Sequence, residues 1–354
     1  MALAESRARR DAQSVPSEWI RRIHPAAALL LALLIIMPAI ANSFILVQIF
    51  AWSFILGMIA LSLMFLAGYG GMVSLAQMTI AGFAGYMVAI FGVHGEPAAS
   101  IGWPWWVAVP IALVLAMIFG AIIGALAVRT EGIYTIMITL AIAAAFFYFT
   151  NQNYAIFNGH TGISSIPTPH LFGVNWHNAI PFYYLSLLWA TLAWGAVTWL
   201  SRAPFGLALQ GIRDNPRRMA ALGFNVNAHR IAAYVVAALI AGVGGILLVW
   251  SNGQVAPGTV NVGAAIDILV IAVVGGVGNP IGPFIGAFIY AILKTFALDI
   301  LVTLALDGNR FRLLIGLGFL AIVFFSPDGV IGLWNRWRNR GTLARVPSGG
   351  GGHG

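Results

Sequence analysis

The sequence predicts an all-α fold, a polytopic transmembrane bundle of about ten spans with the N- and C-termini cytoplasmic. Three observations predict it. Of 354 residues, 60% are hydrophobic and only 8% charged, whereas soluble domains carry about a quarter charged residues. The apolar residues gather in runs of roughly 17 to 25, the length that a bilayer core demands of a helix. The basic residues lie almost wholly between those runs. Glycine and tryptophan are plentiful, 41 and 12 residues; small residues let membrane helices approach, and indole rings settle at the headgroup level.

Segment 1–24 is polar and carries five arginines. The run behind it is long and lacks a small-residue cleavage site followed by a soluble domain, so 25–41 is read as an uncleaved first span. Further spans are predicted at 44–67, 72–91, 105–128 and 133–150, then at 180–200, 231–249, 264–277, 281–304 and 311–326. The span at 264–277 is short and bounded by glycine, as a broken or re-entrant helix is. The transmembrane domain is thus 25–335, and 336–354, with four consecutive glycines at 349–352, reads as a flexible cytoplasmic tail.

Orientation follows from the arginines, because cytoplasmic loops hold an excess of basic residues. With the N-terminus inside, Arg7, Arg9, Arg10, Arg21 and Arg22 fall on the cytoplasmic side. So do Arg129, Arg202, Arg213, Arg217, Arg218, Arg230, Arg336, Arg338, Arg340 and Arg345, making 15 of the 18 basic residues. The opposite loops, 92–104, 151–179 and 251–263, contain none. Lys294, Arg310 and Arg312 depart from the pattern. The formal charge of +8 therefore reports topology rather than a nucleic-acid partner.

Inventory argues against an enzyme. With no cysteine, thiolate metal sites and cysteine nucleophiles are excluded. Of ten acidic residues, Asp267 alone is well inside a span and Asp299 is near the end of another; lying 32 positions apart on different helices, they give no sign of an acid and base couple. His160, His170 and His177 share one outer loop, but with no HExxH or i, i+4 pairing they are weak as metal ligands. No catalytic or metal site is expected. The sole lysine, Lys294, follows Leu293 where a P-loop requires glycine, so this chain lacks a Walker A site for ATP.

Two glycine-rich stretches carry the polar residues that could line a path. Gly68, Gly70 and Gly71 precede Ser74 and Gln77, and Gly275, Gly276 and Gly278 precede Pro280. Irregular backbone in a membrane is tolerated beside protein or a water-filled cavity; alternatively, these glycines serve close helix packing. The candidates for a translocation path are Ser74, Gln77, Asn158, Thr161 and Asp267. Asp267 is the strongest, since a carboxylate at depth is costly and tends to face a cavity or a partner.

The longest polar stretch is the loop 201–230. A short helix is predicted over 205–213, then Asn215 as N-cap with Pro216 at the first position of a second helix, 216–222, which stops at Gly223. Exposed Phe205, Leu209 and Met219 beside the arginines would make a knob for a partner's groove. The other reading is a solvated connector.

This loop, FGLALQGIRDNP followed by AALGFNV between Phe205 and Val226, closely resembles the cytoplasmic loop of the LivM-type permeases, the branched-chain amino acid ABC importer subunits. Further matches are GYGGMVSLAQMTIAGFAGYMVAI at 68–90, RTEGIYTIMITLA at 129–141, GHTGISSIP at 159–167, VVGGVGNPIGPFIGA at 273–287 and FFSPDGVIGL at 324–333. Ala76, Gln77 and Asn279 depart from the usual residues of that pattern.

The resemblance implies a permease subunit in the bacterial inner membrane that forms the path for branched-chain amino acids. Phe205, Gly206, Leu209, Arg213, Asp214, Asn215, Pro216 and Gly223 would couple it to an ATPase. It also implies a second, LivH-like permease, LivG-like and LivF-like ATPase subunits that hold ATP and Mg, and a periplasmic or lipid-anchored solute-binding protein. This chain itself would bind no cofactor. Urea or short-chain amides are the alternative solutes, and an ion-coupled secondary transporter or channel is the alternative class.

Overall fold

The computed structural model describes residues 32–39, 41–93, 100–130, 132–171 and 174–303. The segment 1–24, most of the predicted span 25–41, the span 311–326 and the tail 336–354 lie outside the described residues. In chain order the principal helices are α1 (Ile45–Tyr69), α2 (Gln77–Phe91), α3 (Trp105–Ala127), α4 (Ile133–Gln152), α5 (Ala179–Arg202), α6 (Pro204–Asp214), α7 (Pro216–Ala221), α8 (Val226–Asn252), α9 (Val262–Gly275) and α10 (Gly282–Thr303). Two-residue strands β1 (His170–Leu171) and β2 (Val174–Asn175) pair antiparallel between α4 and α5. Among the described residues, α1, α3, α4, α5 and α8 are long and apolar enough to cross a membrane. α2 and α9 are also apolar but have only 15 and 14 residues, about 21 to 22 Å of helix against a hydrocarbon core of roughly 30 Å.

Burial divides these helices in a way their hydrophobicity does not. α1 and α8 form the centre: α8 packs on α1, α2 and α3, while α1 also packs on α9 and α10. Every residue from Ser53 to Met64 of α1 is buried. α3 lies at the rim and buries a stripe of small residues four apart, Ala108, Ala112, Ala116, Gly120 and Gly124. Its opposite face exposes Val114, Ile118 and Ile122. Lipid tails are as apolar as these side chains, so membrane helices associate through close packing, which small residues permit. A Cβ on Gly120 would collide with that of Ala238 on α8.

The other rim helix, α4, buries Thr135, Thr139, Ala143, Phe146 and Thr150 along one face. Each of those threonine hydroxyls donates to a main-chain carbonyl three to five residues back, as Thr139 Oγ1 does to Thr135 O at 2.9 Å. Their polarity is thereby satisfied away from water.

Structure departs from expectation at two span ends. The span predicted at 72–91 begins as helix only at Gln77, because Gly71 takes φ +67° and 72–74 run without regular structure. Backbone groups there find partners: Met72 N donates to Leu66 O at 3.0 Å and Leu75 N to Thr139 Oγ1 at 3.1 Å, as an interior away from water requires. The span predicted at 231–249 starts at Val226, where the Asn225 side chain accepts from Ala228 N at 3.1 Å, and ends at Gly253 with φ +65°. For the span at 264–277, the structure gives the short α9, capped by Asn261 and closed by Gly276 at φ +107°.

Candidate functional site

The loop 201–230 folds as two short helices at the arginine-bearing end of the bundle. Ala203 is extended, and Pro204 opens α6, a position where its missing N–H costs nothing. Asn215 then breaks the chain and caps α7, its Oδ1 accepting from Arg218 N at 3.0 Å, with Pro216 following. α7 closes through Gly223 at φ +90°: Phe224 N donates to Met219 O at 3.1 Å and Gly223 N to Ala220 O at 3.0 Å. That pair of bonds is the Schellman arrangement, which the left-handed residue makes possible. Asn215→Ala is expected to cost about 1 kcal/mol of local stability, raising tryptic cleavage after Arg217 and Arg218 about fivefold in limited proteolysis.

Exposure corrects one expectation. Leu209 is fully buried, and Phe205 and Met219 are half-buried rather than exposed. Phe205, Ala208, Leu209 and Ile212 recur at helical spacing and turn inward, where Phe205 also stacks on His229 with ring centroids 5.9 Å apart. The apolar residues presented outward are Leu207, Leu222 and Phe224, at 59%, 67% and 40% exposure. Position on the helix face, which the packing partner decides, was the missing signal. Gly206 lets α6 lie against the end of α5, since a Cβ there would collide with the Leu200 carbonyl.

Arg213 ties this knob to the bundle. Its Nη1 donates to Gly68 O at the end of α1, and its Nε and Nη2 each lie 2.9 Å from Asp214 Oδ1. A Cβ on Gly71 would come within 2.7 Å of the Arg213 Cγ. Gly68 also abuts the turn between α9 and α10, because its Cβ would strike the Val277 carbonyl oxygen. Beside it, Gly71, Thr130, Pro216 and Arg230 line a cavity of about 170 Å³. α6 is therefore linked, through Arg213 and Gly68, to the central helix and to the α9–α10 turn.

The five path candidates occupy three separate surroundings. Ser74 and Gln77 are fully buried where the chain re-enters as α2. Gln77 Oε1 accepts from Ser62 Oγ at 2.9 Å, while its buried amide nitrogen has no hydrogen-bond partner among the described residues. Asn158 and Thr161 lie in the turn after α4. Asn158 is left-handed at φ 59°; its Nδ2 donates to Gly162 O, and Thr161 Oγ1 donates to Asn158 O, both at 2.8 Å. This turn is joined to the loop after α8 by the paired bonds of Ile163 and Val255, 2.9 Å each.

Asp267, on α9, faces a cavity of about 470 Å³ between α1, α2, α8, α9 and α10. Its Oδ2 accepts from Tyr290 of α10 at 2.9 Å. Two residues that sequence pattern did not connect with it, Trp52 and Lys294, line the same cavity. Lys294 Nζ sits 4.7 Å from the Trp52 ring centroid, a cation–π contact. Among the described residues, no group of three His, Asp or Glu converges in a way that could hold a metal.

Comparison with known proteins agrees with these features. The model of the branched-chain amino acid transport system permease component family matches residues 45–323. The high-affinity branched-chain amino acid transport system permease protein LivM of Escherichia coli K12 is 24% identical over 254 residues, covering 65% of this chain. The chain spans 58% of that relative's length. BraD, the corresponding high-affinity permease protein of Pseudomonas aeruginosa, is 25% identical over 172 residues, 47% of this chain and 54% of its own. A probable LivM of Methanocaldococcus jannaschii is 27% identical over 235 residues, 62% of this chain and 67% of its own. No solved structure matches the chain. A match running from α1 through α10, on a bundle of apolar helices with a short-helix knob at one end, places this chain in the family of branched-chain amino acid transport permease components.

Proposed function

We propose that the chain is the membrane-spanning permease subunit of an ABC importer for branched-chain amino acids, forming the path while separate ATPase subunits supply the energy. The match over 45–323 carries this reading. In it the chain lies in the bacterial inner membrane with about ten spans and both termini cytoplasmic, divided into 1–24, the transmembrane domain 25–335 and the tail 336–354. Arginine placement supports that topology, as does the meeting of Gly71, Thr130, Pro216 and Arg230 at one end.

The knob 201–230 is assigned to docking on a cytoplasmic ATPase, with Phe205, Gly206, Leu209, Arg213, Asp214, Asn215, Pro216 and Gly223 shaping it. The inward-facing members set its form, and Leu207, Leu222 and Phe224 offer the outer apolar contact. ATP and Mg belong to LivG-like and LivF-like partners, and a LivH-like permease and a solute-binding protein complete the assembly. Closure of the ATPases would push α6, and Arg213 would pass the displacement to α1 at Gly68.

Vesicle transport tests this. The chain alone in proteoliposomes is expected to take up no leucine, whereas the complete assembly with ATP inside and binding protein outside takes it up. Uptake by the chain alone without ATP would make it a secondary carrier or channel instead.

A further inference from the structure

The cavity bounded by Asp267 and Lys294 has a charge pattern that the proposed function does not by itself require. A carboxylate and an ammonium line one cavity of about 470 Å³, yet they do not meet as an ion pair. Each is held by something else. The Tyr290 hydroxyl, on the same face of α10 as Lys294 and one turn before it, fixes one Asp267 oxygen, and the Trp52 ring holds the ammonium. Charges at membrane depth are expensive, and those that occur pair with one another or face a cavity or substrate path. Here they line one cavity without forming a direct salt bridge. Most of the remaining wall is apolar, with Leu56, Met78, Leu248 and Ile271 among the lining residues. A mostly apolar pocket with a few placed polar groups is the common form of a small-molecule site.

We infer that this cavity is a solute-binding site for a zwitterionic amino acid with an apolar side chain, its α-ammonium received by Asp267 and its α-carboxylate by Lys294. This rests on reading the chain as a solute permease and adds the site and its selectivity. Two opposite charges held apart complement a molecule carrying the same two charges, whereas a neutral amide leaves both unmatched and a lone cation or anion matches only one. A ligand matching both charges adds a direct ionic partner to each, which a ligand carrying one charge or none cannot do. Leu56, Met78 and Ile271 accept the side chain, where one methylene more or less changes binding by only about 1–3 kcal/mol; the site therefore takes leucine, isoleucine and valine alike. Asn252 and Asn261, at the end of α8 and the cap of α9, stand at one side of the cavity. That side is opposite the arginine-bearing end where Arg213 meets Gly68, so the site faces solute arriving from outside.

The absence of cysteine from the sequence makes a direct test possible. Ile266 lines the cavity and is 45% exposed, so Ile266→Cys in the full assembly supplies a single thiol on this chain for a maleimide probe, with cysteine-free partner subunits. Leucine is expected to slow its labelling at least fivefold. Isocaproate, isoamylamine and acetamide, which carry one charge or none, are expected to leave it unchanged. Adding Asp267→Asn or Lys294→Met to that variant removes the protection and lowers ATP-driven leucine uptake at least tenfold, while Lys294→Arg keeps most of both. Size-exclusion profiles matching the parent show that each variant has folded. Leucine uptake at the parental rate in both neutral variants, or equal protection by acetamide, would overturn the site while leaving the permease reading intact. Failure of the unmutated assembly to take up leucine would remove that reading and the site with it.

Discussion

Gly245→Leu is expected to abolish recovery of folded protein. On α8 this residue faces α2 so closely that an added Cβ would overlap the Ala81 carbonyl. Backbone, not a flexible side chain, stands in the way, so the helices must part. Gly85 on the facing helix would meet the Val249 side chain in the same manner, and Gly82 would overlap Val260 Cγ1. Overpacking a tight core costs about 1–3 kcal/mol per added group and occasionally more; leucine adds four carbons where one has no room. Because α8 also carries α1 and α3, separation there disrupts the centre of the bundle. The measurement is a fluorescence size-exclusion profile in detergent, with the monodisperse peak expected to vanish. Gly195→Leu is the control, since nothing lies within 4 Å of the Cβ position there; its peak is expected to remain.

Alanine at both Arg213 and Asp214 is expected to separate ATP hydrolysis from solute delivery. Arg213 bonds from α6 to Gly68 O at the end of α1, and Asp214 pairs with that guanidinium. A hydrogen bond from a charged donor contributes about 1.5–3 kcal/mol, reduced here because the Arg213 side chain is 40% exposed. A remaining 1–2 kcal/mol corresponds to roughly a five- to thirtyfold change. Leucine uptake by the reconstituted assembly should fall by about that factor while ATP hydrolysis stimulated by the binding protein persists. Membrane insertion should be unaffected, as neither side chain is buried. Unchanged uptake would make the loop 201–230 a connector only.

Much of the loop's local form was legible in the sequence. Asn215 before Pro216 and the placement of Gly223 each carry their own physics, a side-chain cap and a left-handed residue, and need no tertiary partner. Leu209 was different. Whether it or Leu207 faces outward depends on how α6 rolls against α5 and α8, and in the structure it is Leu207 that stands out. The candidate path residues show the same division. Asp267 was found from its cost in a membrane, but its neighbours Trp52, Tyr290 and Lys294 come from helices far apart in the chain, and local spacing has no term that joins them.

By itself, then, the sequence determined the class: apolar runs of bilayer length, arginines between them and the caps of the short helices follow from composition and local chemistry. Only tertiary structure decided which helices are central, which face of each is buried and which charges share a cavity. The reason lies in the solvent. In water an apolar face must turn inward, so pattern reveals burial; in lipid both faces of a span are apolar, and Val114 on the rim is as hydrophobic as Ile59 at the centre. What remains to mark the packed face is the spacing of small residues, as in Ala108, Ala112, Ala116, Gly120 and Gly124, and that spacing says a neighbour is near without naming it.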